Sequence, residues 1–265
     1  MSVIQVDGLA KSYGTVDAVD EMAFAVERGE LYGFLGPNGA GKTTTIRVLT
    51  GQIQPDSGTV SVLGTDPTAE PIETRHRVGI LPEQGSPPSF LTPREFLEFV
   101  GDVRGLEPDR VAEQTARWAE RLGFESKLDT LHTDLSRGQQ QKVMISQAFL
   151  HEPDVVFIDE PLANLDPLVQ EQVKRFLVSY AAGDNAVFVS THNIDVAEEI
   201  CTRVGIVTDG RIVTERSLEG DSSADSVDCE PLGDDSLLDV FLERVEGEDV
   251  RDAPSLEGLE APAKR

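Results

Sequence analysis

Residues 36–44 read GPNGAGKTT, and Gly36, Gly41, Lys42 and Thr43 fit the spacing G-x-x-x-x-G-K-[ST]. The run follows an apolar stretch, Leu31–Leu35, and precedes a helical one that begins at Lys42 and continues to about Leu49. A glycine-rich turn lets backbone N–H groups wrap phosphate oxygens where side chains would block their approach. The helix that follows points its positive end at the anion. Lys42 supplies a point charge for β- and γ-phosphates, and the Thr43 hydroxyl is a ligand type suited to Mg²⁺. Gly36, Pro37, Asn38, Gly39, Ala40, Gly41, Lys42, Thr43 and Thr44 are therefore the candidate phosphate-binding residues. By average glycine usage such a match arises by chance in roughly one chain in a hundred.

Further along, residues 155–161 read VVFIDEP, four apolar residues and then two carboxylates. A buried parallel strand ending in acid puts Asp159 at the carboxyl edge of a sheet, beside the phosphate loop. Asp159 is then placed to hold Mg²⁺, directly or through water, and Glu160 to orient or deprotonate a water. The alternative is a strand ending in a solvated acidic turn. Val3–Val6, Met22–Val26 and Thr59–Leu63 also read as strands, with Asp56-Ser57-Gly58 as a turn, and Val78–Leu81 is a short strand stopped by Pro82. Three helices follow. Thr92-Pro93-Arg94-Glu95 opens the first as a capping box, with Phe96, Phe99, Val100 and Val103 on its apolar face. The second is capped by Asp109, carries Val111, Trp118, Ala119 and Leu122 inward, and ends at Gly123. The third runs from near Ser136 to before Pro153. A helix near Val169–Tyr180 separates Val155–Ile158 from the strand Ala186–Ser190, the order of a right-handed parallel unit. The expectation is a sheet core interrupted at about residues 88–150 by a helical lobe. Beyond Glu215 the chain turns polar and acidic, with one short amphipathic stretch at Leu237–Val245, and a flexible end is expected.

The 48 acidic and 23 basic residues give a net charge of −25. From Glu215 onward there are 16 acidic and 5 basic residues, so the remaining −14 belongs to the body of the chain. Such a surface disfavours nucleic acid, whose phosphates need a positive face. Two readings of the charge stay open: an ordinary acidic protein, or adaptation to high salt, where screening removes the self-repulsion. Cys201 and Cys229 form no CxxC pair, which argues against a zinc site or a disulfide framework and for a reduced, cytosolic compartment. No run approaches the roughly 20 apolar residues of a membrane span, and the N-terminus has no signal-peptide pattern, so work at a membrane needs a partner.

Residues 135–139 read LSRGQ. With the two motifs above, the sequence here closely resembles the ATP-binding subunits of ABC transporters, whose signature is LSGGQ-like; Arg137 stands where the first glycine is usual. Taken alone, Ser136 and Gln139 also suit a simple capping box. The remaining family elements come in order over residues 3–214. Tyr13 matches the aromatic that packs on adenine, although a buried strand-edge tyrosine is the alternative. Ala163-Asn164-Leu165-Asp166 matches the loop that contacts the opposite subunit, and His192 matches the histidine that contacts the γ-phosphate. The glutamine that couples Mg²⁺ to the membrane partner is represented ambiguously, with Glu83 at the coupling position and Gln84 one beyond it. A Pro-Glu at this place, the LTPREFLEF stretch and the terminal LLDVFLE look most like the ATPases of two-component ABC-2-type export systems.

The resemblance implies an α/β fold: a P-loop NTPase, RecA-like core with an antiparallel β subdomain and an inserted α-helical subdomain. It implies an ATP-binding domain over residues 1–214 and an acidic, partly flexible extension over 215–265. ATP and Mg²⁺ are the implied cofactors. Lys42, Glu160 and His192 carry catalysis. Thr43, Asp159 and Glu83 or Gln84 face the metal, and Ser136, Gly138, Gln139 and Asp166 contact nucleotide across a head-to-tail homodimer or pseudo-symmetric heterodimer. An integral-membrane permease is the implied partner, met at the cytoplasmic face of the cell membrane. The rival, a soluble ABC ATPase acting on nucleic acid or ribosomes, fits less well. Ser136 lies only 94 residues after Lys42, with no inserted zinc module, and there is a single cassette.

Overall fold

The computed structural model describes residues 2–160, 162, 165–218, 230–231 and 236–243. The N-terminal alternation forms β1 (Ser2–Tyr13), with Ile4, Val6 and Leu9 buried and Gln5 and Asp7 exposed between them. It pairs antiparallel with β2 (Val16–Glu27) through a turn at Gly14, and a three-stranded sheet is completed on its other side, as described below. Both strands outrun the expected Val3–Val6 and Met22–Val26. Their distal halves are polar, and the backbone ladder rather than an apolar pattern makes them strand. The parallel core begins with β3 (Leu31–Leu35), buried at every position, which feeds α1 (Lys42–Leu49).

β4 (Ser57–Val62) supplies the third strand of the antiparallel sheet, paired with β1. Ser57 and Gly58 therefore lie in a strand and not in the expected turn. Gly58 is needed for proximity: at φ +88, a Cβ there would sit 2.4 Å from the Gly8 carbonyl oxygen. The Asp56 carboxylate instead accepts from Lys11 Nζ and Ser12 N–H, both at 2.7 Å, which ties the strand entry to β1.

After the unpredicted α2 (Pro71–Arg77) and β5 (Val78–Leu81), the chain leaves the sheet for α3 (Pro93–Val103), α4 (Pro108–Leu122) and α5 (Arg137–Phe149), the expected helical lobe. Thr92 and Glu95 form the capping box. The α3 face is rotated from expectation. Phe99 and Val103 are 56% and 60% exposed, while Leu97 and Gly101 turn inward with Phe96. Gly101 sets that rotation, because its missing Cβ leaves room for Val111 of α4, which would otherwise lie 2.3 Å away. In α4 the cap is Glu107, with Pro108 at the first position and Asp109 inside the first turn, where its charge still favours the helix dipole. Val111, Trp118, Ala119 and Leu122 are buried as expected, and Gly123 ends the helix at φ +65.

The chain returns as β6 (Val155–Asp159), α6 (Pro167–Ala181), β7 (Ala186–Thr191), α7 (Ile194–Ile200), β8 (Arg203–Thr208) and β9 (Arg211–Ser217). Two further pieces follow, β10 (Glu230–Pro231) and α8 (Leu237–Phe241). The seven-stranded sheet has the order β10-β9-β8-β3-β7-β6-β5; β5, β6, β7, β3 and β8 run parallel, and β9 is antiparallel to β8. β9 extends three residues past the expected 214/215 boundary. Residues 219–229, 232–235 and 244–265 lie outside the described residues, and with them most of the extension expected to be flexible.

Both faces of the parallel sheet are covered, which explains its unbroken apolar strands. Phe24, Tyr32, Phe34, Phe157 and Phe188 fill the layer beneath the antiparallel sheet, with ring centroids 5.2–5.8 Å apart. On the other face Trp118 packs on Phe149 and Phe176 and joins the helical lobe to α6. Among the described residues no helix is long and apolar enough to cross a membrane.

Candidate functional site

The glycine run closes tightly against its neighbours. A Cβ on Gly36 would lie 2.3 Å from the Val207 carbonyl oxygen, and one on Gly41, at φ +96, would lie 2.2 Å from that of Ala18. Gly39, at φ +90, faces open space. Glycine is thus demanded at 36 and 41 by the protein itself, while position 39 keeps its surface clear for a ligand. Lys42 is buried, and its Nζ donates to the carbonyl oxygens of Gly36 (2.7 Å) and Pro37 (3.0 Å). Burial pulls its pKa below the ordinary lysine value, against the fields of Glu160, Asp159 and Glu83, which favour the charged form. These three carboxylates surround one ammonium, a balance suited to a cation arriving with an anion.

β6 and β7 are parallel neighbours, and their register sets Asp159 against Ser190. The Ser190 hydroxyl donates to Asp159 Oδ1, and Thr43 Oγ1 donates to Asp159 Oδ2 at 2.7 Å. Two hard oxygen groups, from the loop helix and from the strand end, therefore meet at one point. That donor set fits Mg²⁺, which takes one or two carboxylates plus phosphate oxygens and water rather than an all-protein cage. Among the described residues no group of three or more histidine, cysteine or acidic side chains is placed to hold a metal ion.

Glu160 adopts φ +53, uncommon for a residue with a side chain. Its N–H donates to Ser190 O at 3.0 Å. Its carboxylate accepts from His192 Nδ1 at 2.6 Å, from His192 N–H at 3.0 Å and from Thr191 Oγ1 at 3.3 Å. A carboxylate only accepts, so His192 carries its proton on Nδ1. The backbone turn and three donors fix the carboxylate at the edge of the phosphate site.

A cavity of about 390 Å³ opens over this constellation, lined among others by Tyr13, Asn38, Lys42, Thr43, Glu83 and Asp159. Tyr13 is 48% exposed at its rim, so the buried strand-edge reading of this residue does not hold. Glu83 reaches the cavity. Gln84 lines a neighbouring polar cavity of about 350 Å³ with Arg137 and Gln140, and Glu83 lines this one as well. Ser136, Gly138, Gln139 and Asp166 are not among the residues lining the phosphate cavity. Ser136 and Gln139 do form the capping box of α5, with Ser136 Oγ accepting from Gln139 N–H and Gln139 Oε1 from Ser136 N–H. The Ser136 O–H remains able to donate outward. Asp166 caps α6 through Val169 N–H at 3.1 Å. Ala163 and Asn164 lie outside the described residues. Sequence reasoning missed Ser190 and Thr191. Their only signal is the hydroxyl pair at the end of an apolar strand, and its meaning depends on which strand lies alongside.

The family described as "ABC transporter" matches residues 19–163. Among similar proteins is the Nod factor export ATP-binding protein I of Ralstonia nicotianae, 32% identical over 253 residues, covering 92% of this chain and 78% of the relative. A solved ATP-binding subunit of an ABC transporter is 30% identical with a TM-score of 0.77, covering 82% of this chain and 90% of the other. A dimeric ATP-binding cassette in a post-hydrolysis state with ADP and Pi superposes with a TM-score of 0.76 over 82% of this chain and 99% of the other. Its 22% identity speaks for the fold alone.

Proposed function

The chain belongs to the ABC transporter family as an ATP-hydrolysing, ATP-binding subunit, and from that premise we propose that it drives export through a separate membrane permease by ATP-dependent, head-to-tail dimerisation. In this reading the Gly36–Gly41 turn and α1 hold the β- and γ-phosphates, Lys42 leaves its two carbonyl partners to bind them, and Tyr13 stacks on adenine. Thr43, Asp159 and Glu83 would hold Mg²⁺, which when bound would neutralise negative charge on the phosphates. Glu160 positions and deprotonates the attacking water, while His192 steadies Glu160 and contacts the γ-phosphate.

The phosphate cavity of a single chain lacks the Ser136–Gln139 turn, and this observation carries the dimer. A second copy, identical or closely similar, supplies Ser136, Gly138 and Gln139, with Asp166 at the same interface. Closing and opening around two ATPs is the work delivered to the permease, which docks near residues 83–104 from the membrane side of the cytoplasm. The name of the Nod factor export relative supports export as the direction. Glu83, rather than Gln84, is the coupling residue in this reading, because it shares a cavity with Lys42 and Asp159.

The test is Glu160→Gln. We expect retained ATP binding, turnover lowered by about 10²–10⁴-fold, the range for losing a positioned base, and an ATP-locked dimer visible by size exclusion. A monomeric, fully active variant would overturn the scheme.

A further inference from the structure

Position 192 sits at the foot of α7, a helix of only seven residues with Ala197 and Ile200 as its buried side chains. So short a helix has little stability of its own, and its orientation is set by what packs on it. One side rests on the sheet and α6. Another is covered by α8, which returns from the far C-terminal part of the chain. Leu237 is fully buried, and with Val240 it joins the core cluster that contains Ala197, Ile200 and Val204. The Leu237 N–H donates to Glu198 Oε1 of α7 at 2.9 Å. α8 carries its own capping box between Ser236 and Asp239, so the five-residue segment is fixed at its start by two independent sets of hydrogen bonds. At the foot of α7, Leu238 shares a cavity of about 380 Å³ with His192, Asn193, Ile194 and Asp195.

From α7 the connection to the reacting groups is short. Asn193 caps the helix by accepting from Val196 N–H at 3.2 Å, and its own N–H donates to Thr191 Oγ1 at 3.1 Å. That hydroxyl donates in turn to Glu160 Oε2. A tilt of α7 therefore moves both residues whose donors position the Glu160 carboxylate, His192 directly and Thr191 through Asn193.

We propose that α8 is a positioning element for the Glu160–His192 pair, so that residues 236–241 belong to the ATPase machinery. The proposal rests on the roles given above to Glu160 and His192. α8 bonds to and packs on α7, whereas the Gly36–Thr44 loop and Tyr13 hold the nucleotide in the reading above, so binding and turnover separate. Losing the brace leaves ATP affinity intact and misplaces the base.

The experiment measures kcat and KM for ATP in full-length Leu237→Ala and Glu198→Ala, with Glu198→Gln as the conservative variant whose amide oxygen still accepts the Leu237 N–H. Each is built with His192 present and with His192→Ala. Glu198 is exposed, so its variants leave the core intact if Leu237→Ala folds poorly. We expect kcat to fall about 10- to 100-fold in the two alanine variants, the scale of a catalytic group displaced by about 1 Å, with KM within about twofold. Glu198→Gln should approach wild type. In the His192→Ala background each alanine variant should lower kcat by clearly less than it does with His192 present, the remainder passing through Thr191, because groups acting as one unit are not additive. Unchanged kcat in both alanine variants, or losses that multiply with that of His192→Ala, would overturn the proposal. Full activity of His192→Ala alone would instead bring down the reading of the site itself.

Discussion

His151 follows α5 and is held neutral by its surroundings. Its Nε2 lies 2.8 Å from Arg104 Nη1 and 3.2 Å from the Val78 carbonyl oxygen. Arg104 also donates to the Arg75 carbonyl at 2.9 Å, and burial lowers its pKa to about 10, which leaves it charged at neutral pH. Facing that cation, Nε2 must accept, so the ring proton sits on Nδ1, which is buried without a hydrogen-bond partner among the described residues. Burial first, and then the Arg104 charge, push the His151 pKa down to about 3 from an ordinary 6.5. With the folded value depressed, the unfolded chain takes up the proton first as the pH falls. The stability is complete above pH 6.5 and is lost on the way down to about pH 3. The slope approaches 1.4 kcal/mol per pH unit, so the loss between pH 7 and pH 5 is about 2 kcal/mol. That figure depends on the unfolded value, since the folded one lies far below pH 5. Urea unfolding of wild type and His151→Gln at pH 7, 6 and 5 isolates the effect. The glutamine carbonyl still accepts from Arg104 but does not titrate, and the other groups cancel between the two chains. Wild type should lose about 2 kcal/mol more than the variant over this range; equal losses would refute the reasoning.

Gly41→Ala would force a Cβ to 2.2 Å from the Ala18 carbonyl oxygen at φ +96. With strain on the order of 1–3 kcal/mol in the loop, fluorescent-nucleotide titration should show ATP affinity about tenfold lower or worse, and unchanged affinity would contradict the packing argument. Arg203 bonds Glu30 through two nitrogens at 3.0 Å and Glu215 at 2.9 Å, and lies 4.7 Å over the Tyr32 ring. Arg203→Met removes the cation shared by the two carboxylates, leaving Glu30 only the Glu27 N–H and Glu215 only the Tyr32 hydroxyl among the donors described, and should cost about 3–5 kcal/mol in chemical denaturation; a loss under about 1 kcal/mol would show the network to be dispensable. If the net charge of −25 reflects adaptation to high salt, the melting temperature climbs steeply as KCl rises from 0.1 M to about 2 M. A flat or falling curve removes that reading.

The family of this protein and its candidate groups were legible in short runs of its sequence. The phosphate turn, the acid pair after an apolar strand and the caps at Thr92 and Ser136 each depend on neighbours within a few residues, through φ preference, hydrogen-bond reach and side-chain type. Those forces act locally, so the order of residues was enough to name the groups, and the break in the sheet for a helical lobe followed from the change of apolar period. What tertiary structure alone decided was adjacency. Ser190 and Thr191 meet Glu160 and Asp159 because β7 lies beside β6, Glu83 and not Gln84 lines the cavity with Lys42, Phe99 faces outward because Gly101 admits Val111, and Leu237 covers the helix that follows His192. Each of these is a choice among partners distant in the chain. It is made by the close packing of two cores on one parallel sheet, and no local preference encodes it.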